Sequence, residues 1–247
     1  MITQYNKLCT EFYDNDKALA DNEELEFYNQ ILSKDMLILE PMCGSGRLLI
    51  PMLKEGYKVH GVDNSIHMLA SCRKRLKEHN LTTELFTDSI IDMKLPYKYD
   101  AIVIPVGSFQ LLYPRKIAYK ALDNFNNHLK LGGKLIMDTF IPWEALYKDA
   151  EEDFSERAVT LSDGSVVQHK AHDKANKFEQ YYHNISTYEK VKDGKIIETE
   201  KEEITICWYY FYELELILEK HGFGNIKMTK RIVNGSEHQT YIAEKIK

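Results

Sequence analysis

Short apolar segments alternate with amphipathic segments between residues 36 and 139. The apolar segments have the length of strands, and the segments between them carry apolar residues at the three-to-four spacing of a helix. Met36–Leu39 and Ala101–Ile104 are uninterrupted apolar runs, which is typical of strands covered on both faces of a parallel sheet. Repeated β-α-β units predict an α/β fold with a doubly wound sheet. The predicted strands are Met36–Glu40, Lys58–Val62, Thr83–Thr87, Asp100–Pro105 and Gly133–Asp138.

Residue types that favour helix ends flank the amphipathic segments. Ser65 is expected to cap the helix between the second and third strands. Pro114 suits the first turn of the helix before the fifth strand, and Gly132 follows the end of that helix. Residues 1–35 also carry helical spacing and are predicted to form two helices, the second of which is capped by Asn22.

The pattern changes after the fifth strand. Residues 155–208 are rich in Tyr, Thr, Val and Ile, and turn signals interrupt them, which predicts an antiparallel meander. Residues 209–221 return to helical spacing and are followed by two strand candidates. Turn signals occur at Asp163-Gly164, around Asp173–Asn176 and at Asp193-Gly194, and the last strand candidates are Asn225–Ile232 and His238–Lys245.

A Gly-x-Gly turn follows the first predicted strand. The chain runs from Met36 through Glu40 into Gly44-Ser45-Gly46 and then opens a helix. Glycine lets the backbone turn tightly and approach a ligand, and the start of a helix offers free N–H groups to an anion. Asp63 ends the second strand, roughly 20 residues beyond, where a carboxylate can accept hydrogen bonds from ribose hydroxyls. The sequence therefore predicts a site for an adenosine-like ligand.

A dinucleotide is disfavoured as that ligand. Leu49 stands where dinucleotide-binding proteins carry a third small residue, so an NAD-dependent oxidoreductase is the weakest enzyme class considered. Pro51 implies that the helix starts near Leu48 or carries a local kink, because proline removes a backbone donor inside a helix.

The full set of motifs resembles the class I S-adenosylmethionine-dependent methyltransferases. The resemblance covers residues 36–140 best, and the order of elements fits to the end of the chain. It is greatest to the small-molecule branch that includes glycine and amino-sugar N-methyltransferases. The usual glycine before the turn is Met42 here, and the usual threonine between the glycines is Ser45. The motifs are Glu40–Arg47, Gly61–Ser65 with Met68-Leu69, Asp88, Tyr99–Gln110 and Leu129–Ile136.

This resemblance implies a single methyltransferase domain with a Rossmann-like, seven-stranded doubly wound sheet. The strand order would be 3-2-1-4-5-7-6 with the last strand antiparallel, and an antiparallel β insertion after strand 5 would cover the active site. The implied parts are an N-terminal helical cap (1–35), a cofactor-binding core (36–150), the insertion (151–208), and a C-terminal helix with strands that complete the core sheet (209–247).

The resemblance also implies which residues bind S-adenosylmethionine, whose product is S-adenosylhomocysteine. Gly44 and Gly46 would lie against the methionine part with Glu40 below it, and Asp63 would hold the ribose hydroxyls. Further residues would wall the adenine or lie near the sulfonium. The full implied set is Glu40, Met42, Cys43, Gly44, Ser45, Gly46, Arg47, Asp63, Asn64, Met68, Asp88, Ser89, Ile90, Pro105, Val106 and Gly107.

The methyl acceptor is expected to be a small molecule that is methylated on N or O by in-line displacement. The sequence names no general base. Candidates for the substrate wall are Tyr5, Tyr13, Ser108, Gln110, Trp208 and Tyr210. Two other interpretations stay open: a module that binds adenosylmethionine without catalysis, and a methyltransferase that acts on protein or nucleic acid.

Composition narrows the choice of partners. The 247 residues carry 32 Lys+Arg against 38 Asp+Glu, a formal charge of −6, which gives no general attraction to nucleic acid or to an anionic membrane. We see neither a signal peptide nor an apolar run long enough to span a bilayer, and so expect a cytoplasmic protein without a membrane partner. Four scattered Cys and the pattern of His169, His172 and His183 lead us to assign no metal. Monomer and homodimer both stay open.

Overall fold

The computed structural model describes residues 5–17, 19–147, 152–233 and 235–247. Two β-sheets and the helices packed on them make up these residues. The helices are α1 (Lys7–Asp16), α2 (Asn22–Asn29), α3 (Leu49–Lys54), α4 (Ile66–Glu78), α5 (Arg115–His128), α6 (Trp143–Tyr147) and α7 (Phe211–Lys220), with a 3-10 helix at Ser108–Leu111. The strands are β1 (Leu37–Pro41), β2 (Lys58–Asp63), β3 (Leu85–Thr87), β4 (Tyr99–Ile104), β5 (Leu129–Thr139), β6 (Glu152–Thr160), β7 (Val166–Asn176), β8 (Tyr181–Lys192), β9 (Lys195–Cys207), β10 (Phe223–Val233) and β11 (Ser236–Lys245).

The larger sheet has seven strands in the order β10-β11-β5-β4-β1-β2-β3. Strands β1 to β5 pair in parallel, whereas β11 is antiparallel to both of its neighbours. This is the predicted order 3-2-1-4-5-7-6 with an antiparallel last strand, so the predicted fold class is confirmed.

The central strand β4 shows why the sheet is covered on both faces. Ile102 and Ile104 pack with buried residues of α5 and α7, and Ala101 and Val103 pack with those of α3 and α4. All four side chains are fully buried. Because alternate strand residues point to opposite faces, an uninterrupted apolar run is what such a position requires.

Two of the predicted helix starts agree with the structure, and one differs from it. The Ser65 hydroxyl accepts a hydrogen bond from the Met68 N–H at 3.1 Å, which confirms the predicted N-cap of α4. Pro51 lies in the first turn of α3, where a missing N–H costs nothing. The prediction that Asn22 caps α2 is wrong, because the capping carboxylate belongs to Asp21 and accepts from the Glu24 N–H at 2.9 Å.

Strands β6 to β9 form a separate antiparallel sheet in sequence order. The turns predicted at Asp163-Gly164 and Asp193-Gly194 are present, and both glycines have positive φ. The turn predicted around Asp173–Asn176 comes slightly later, because β7 continues to Asn176 and the chain turns at residues 177–180. There the Asn176 side chain accepts from the Glu179 N–H, so its preference for turns acts just after the strand.

Helix α1 packs between the smaller sheet and helix α4, which lies on the larger sheet. Its Leu8, Cys9 and Phe12 are buried against Val167 and Tyr188 of the smaller sheet. On its other side, the Asp14 carboxylate contacts Ser71 and Arg75 of α4. Helix α1 therefore joins the insertion to the larger sheet. Among the helices that the structure describes, none combines the length and hydropathy needed to cross a lipid bilayer.

Candidate active site

A cavity of about 230 Å³ opens at the carboxyl ends of the parallel strands. In open α/β sheets this edge is where ligands bind, since the loops that leave neighbouring strands diverge there. Thirteen of the residues implied as cofactor-binding line the cavity: Glu40, Met42, Cys43, Gly44, Arg47, Asp63, Asn64, Met68, Asp88, Ile90, Pro105, Val106 and Gly107.

The loop after β1 makes one wall of the cavity. Met42, Gly44 and Gly46 all have positive φ, so the chain reverses within a few residues. The Gly44 N–H donates to the Asp63 carboxylate at 2.8 Å, which ties this loop to the end of β2. A Cβ on Gly46 would lie 2.9 Å from the Cys72 sulfur, so this glycine is needed for close packing of the loop on α4.

Glu40 lies at the bottom of the cavity with an incompletely satisfied carboxylate. It is only 2% exposed, and its Oε2 has no hydrogen-bond partner among the described residues. Burial raises the pKa of Glu40 well above its usual range, while the neighbouring Arg47 guanidinium acts in the opposite direction. A buried oxygen without a partner is costly, so this position suits a ligand group that donates hydrogen bonds.

Arg47 is fixed by a buried ion pair beside Glu40. Its guanidinium donates two hydrogen bonds, of 2.8 and 2.6 Å, to the Glu24 carboxylate of α2. Both side chains are about 5% exposed. A bidentate pair of this kind holds the guanidinium in one orientation, so one edge of it contributes a fixed positive charge to the cavity wall.

Two aspartates follow the next strands along the sheet edge. Asp63 accepts from the Gly44 and Ser65 N–H groups, each at 2.8 Å, and is 8% exposed. Burial raises the pKa of Asp63, although these backbone donors counteract the effect. Asp88 follows β3, and its N–H donates to the Asp63 carbonyl at 3.2 Å. This backbone bond brings the ends of β2 and β3 together, and both aspartates line the cavity.

The loop after β4 forms the opposite wall. Val106 and Gly107 have φ of 53° and 72°, and Gly107 precedes the 3-10 helix. A left-handed conformation is a marked outlier for a β-branched residue and costs on the order of 1–3 kcal/mol. Surrounding contacts must therefore hold this loop in place. The Ser108 hydroxyl, which also lines the cavity, donates to the Pro105 carbonyl at 3.0 Å.

Two tyrosines of the N-terminal segment close the cavity from above. The rings of Tyr5 and Tyr13 are 6.3 Å apart, and both residues line the cavity. Burial raises the pKa of Tyr13 to about 12, so its hydroxyl is protonated near neutral pH. The Ser65 hydroxyl donates to the Tyr5 carbonyl, which joins this segment to the start of α4.

The N-terminus of α1 is held by three glutamates on one face of β9. The Glu200 carboxylate accepts from the Leu8 and Cys9 N–H groups at 3.0 and 2.9 Å, and Glu202 accepts from the Asn6 N–H at 2.6 Å. Glu198 pairs with Lys7 on the exposed side. The Asn6 side chain makes no capping bond, so the strand supplies the cap.

Six residues of the predicted sites lie outside the cavity lining. Ser45, Gly46 and Ser89 belong to the loops behind it, and the Ser45 hydroxyl bonds Arg75. The Gln110 amide is fully buried and bonds the backbone of Phe140 and Cys207. Trp208 is buried beyond β9, and Tyr210 is 44% exposed at the start of α7.

Four lining residues were not predicted: Lys17, Leu111, Phe140 and Ile206. Phe140 directly follows β5, so its place at the carboxyl edge could have been read from the strand order. The other three come from the C-cap of α1, the 3-10 helix and β9, whose positions over the sheet have no signal in the sequence.

The three histidines considered for a metal have other partners. His169 packs on Tyr188 and bonds Ser186, His172 stacks on Phe154, and His183 bonds Thr205. Over the described part of the chain, no three His, Cys, Asp or Glu side chains cluster as a metal site would require.

Comparison with known proteins agrees with this geometry. Residues 38–133 match the family described as Methyltransferase domain. A protein from Geobacillus sp. (strain WCH70) with a provisional methyltransferase name is 23% identical over 96% of this chain and 92% of its own length.

Solved methyltransferase structures share the fold. The CcbJ methyltransferase from Streptomyces caelestis aligns with a TM-score of 0.76 and 18% identity over 99% of both chains. The S-adenosylmethionine-bound CalS10, an amino pentose methyltransferase from Micromonospora echinaspora, aligns with a TM-score of 0.63 and 14% identity over 93% of this chain and 98% of that one. Residues 38–133 are therefore similar to a methyltransferase domain, and the chain shares the fold of these solved methyltransferases over nearly its whole length.

Proposed function

We propose that the protein binds S-adenosylmethionine in this cavity and transfers its methyl group to a small-molecule acceptor. The observation that carries the proposal is the convergence of Glu40, Gly44, Asp63 and Asp88 from three strand ends on one cavity. CalS10, a structural neighbour with the same fold, is a methyltransferase solved with S-adenosylmethionine bound.

The cavity residues fit the parts of this ligand. The unpartnered Glu40 Oε2 suits the ammonium of the methionine part, because a buried carboxylate gains most from a cation. Asp63 lies where it can accept from ribose hydroxyls while keeping its two backbone donors. Gly44 has a φ of 54°, and without a Cβ it lets a ligand approach the backbone of the loop after β1.

Bound S-adenosylmethionine supplies a methyl group attached to a positively charged sulfonium sulfur. When the methyl group is transferred, this sulfur becomes part of a neutral thioether. The protein therefore has to align the acceptor with the methyl group and exclude water from both. Orientation of this kind lowers the activation barrier by an amount on the order of 7–11 kcal/mol. Tyr5, just before α1, and Tyr13 of α1 cover the cavity, which keeps water out and strengthens electrostatic interactions inside.

The acceptor subsite lies on the side of β4 and β5. Leu111, Phe140 and Ile206 line it with apolar surface, and Ser108 adds one hydroxyl. An acceptor with an apolar body and a single N or O nucleophile fits such a wall. The formal charge of −6 offers no general attraction to nucleic acid, which favours a small acceptor over an RNA or DNA.

A labelled-methyl experiment tests the proposal. The protein is incubated with methyl-labelled S-adenosylmethionine and fractionated metabolite pools, and labelled products are identified by mass spectrometry. We expect label in one class of small molecule, with loss of transfer in Asp63→Ala and retention in Asp123→Ala, an exposed aspartate of α5. Binding of cofactor without transfer to any pool would instead indicate a binding module, and label in protein or RNA would contradict the small-molecule acceptor.

A further inference from the structure

Asp138, at the end of β5, is bonded to the loop that forms one wall of the cavity. It is 1% exposed and lies outside the cavity lining. Its Oδ2 accepts from the Val106 N–H at 3.0 Å. Val106 is the residue with φ of 53° that precedes Gly107 and the 3-10 helix.

The same carboxylate also accepts hydrogen bonds from groups of β10 and β11. Arg231 donates to both oxygens, at 3.1 and 2.9 Å, and the Thr240 hydroxyl donates to Oδ1 at 2.6 Å. The Arg231 guanidinium also bonds the Tyr28 hydroxyl and lies 4.1 Å from the centre of the Phe27 ring. These contacts fix the carboxylate, so its bond to the Val106 N–H comes from a rigid support.

The strained backbone of Val106 explains why a bond to its N–H matters for the cavity. A valine does not adopt a left-handed backbone conformation without compensation, and the observed outlier lies at the cavity wall. The Gly107 Cα is packed so closely that an added Cβ would lie 2.9 Å from the Phe140 ring. The backbone conformation of Val106 thus sets the positions that Val106, Gly107 and Ser108 occupy in the cavity wall.

We propose that Asp138 is a positioning residue: by holding the Val106 N–H, it keeps the strained loop after β4 in the shape that receives the cofactor and acceptor. This inference rests on the proposed function, because it assigns a purpose to the wall of that cavity. The competing explanation is that Asp138 serves only to neutralise Arg231.

Paired variants separate the two explanations. Asp138→Ala and Arg231→Gln both break the ion pair, but only the first removes the acceptor of the Val106 N–H. We measure S-adenosylhomocysteine affinity by calorimetry and stability by thermal unfolding. We expect affinity to fall at least about tenfold in Asp138→Ala and to stay within about threefold of the original in Arg231→Gln, although both lose stability. Equal affinity losses in the two variants would overturn the proposal.

A rescue experiment checks the role of backbone strain. Glycine adopts positive φ readily, so Val106→Gly should make the loop less dependent on Asp138. Adding Asp138→Ala to Val106→Gly should therefore weaken affinity less than Asp138→Ala alone does. If the loss is the same in both backgrounds, Asp138 does not act through Val106.

Hydrogen exchange at the Val106 amide gives a readout that does not need a ligand. We expect the Val106 amide to be protected in the original protein and in Arg231→Gln, and to lose this protection in Asp138→Ala. If Asp138→Ala does not fold, the double variant with Arg231→Gln replaces it, because the double variant leaves no unpaired buried guanidinium. If the original protein fails to bind S-adenosylhomocysteine, the proposed function fails, and Val106 protection alone decides the positioning role: equal protection in all variants would overturn it.

Discussion

The bond between Glu200 and the start of α1 is expected to control whether the cavity is covered. Glu200→Ala removes an acceptor that serves two backbone N–H groups of the first helical turn. Loss of a capping side chain costs about 0.5–2 kcal/mol, and loss of a negative charge at a helix N-terminus adds about 0.3–1 kcal/mol. We therefore expect α1 to lose about 1–3 kcal/mol of local stability.

Hydrogen exchange measures this change directly. A loss of about 1–3 kcal/mol should raise exchange rates of the α1 amides by about 5- to 150-fold, while amides of β1 and β4 stay protected. Affinity for S-adenosylhomocysteine should fall as well, because undocking of α1 withdraws Tyr5 and Tyr13 from the cavity.

Glu198→Ala is the matched control on the same face of β9. Glu198 pairs with Lys7 through side chains that are 37% and 51% exposed, and an exposed pair contributes no more than about 1 kcal/mol. In the Glu198→Ala variant, the α1 amides should exchange at nearly the same rates as in the original protein. The reasoning is refuted if Glu200→Ala leaves α1 exchange unchanged, or if both variants accelerate it equally.

Three further outcomes are expected. In calorimetric titrations, Asp63→Ala should weaken S-adenosylhomocysteine binding more than about tenfold, and Asp123→Ala should not; equal affinities would disprove the ribose contact. Arg47→Leu leaves Glu24 buried without its partner and should cost about 3–5 kcal/mol, lowering the thermal midpoint by about 6–20 °C; a shift near zero would contradict this. Because burial raises the pKa of Glu40, the folded chain binds a proton on the Glu40 carboxylate more tightly than the unfolded chain does. The free energy of unfolding should therefore decline as the pH rises from about 4.3, the pKa of an unfolded Glu, through the raised pKa of the folded state. Glu40→Gln should remove that decline in calorimetric melts, and an unchanged pH dependence would count against it.

The larger sheet could be predicted because its signals are local. Uninterrupted apolar runs such as Ala101–Ile104 require a strand covered on both faces, and Ser65 caps α4 through its own hydroxyl. The Gly-x-Gly turn and Asp63 then place a site at the strand ends, and the structure brings both to one cavity. The capping error at Asn22 arose because Asp21, its neighbour, is an equally good cap.

The cover of the cavity could not be predicted, because it depends on contacts between distant segments. The run at Glu198–Glu203 has the pattern of a solvated strand face, yet Glu200 and Glu202 serve the backbone of α1 nearly 200 residues away. Gln110 likewise resembled a substrate contact, but its amide bonds Phe140 and Cys207. Such roles follow from how α1 and the smaller sheet pack, which no local pattern encodes.

Titration of the original protein with S-adenosylhomocysteine by calorimetry tests the central claim most directly. The account predicts one site per chain with a dissociation constant in the micromolar range or tighter. The absence of binding at millimolar ligand, in protein that circular dichroism shows to be folded, would contradict it.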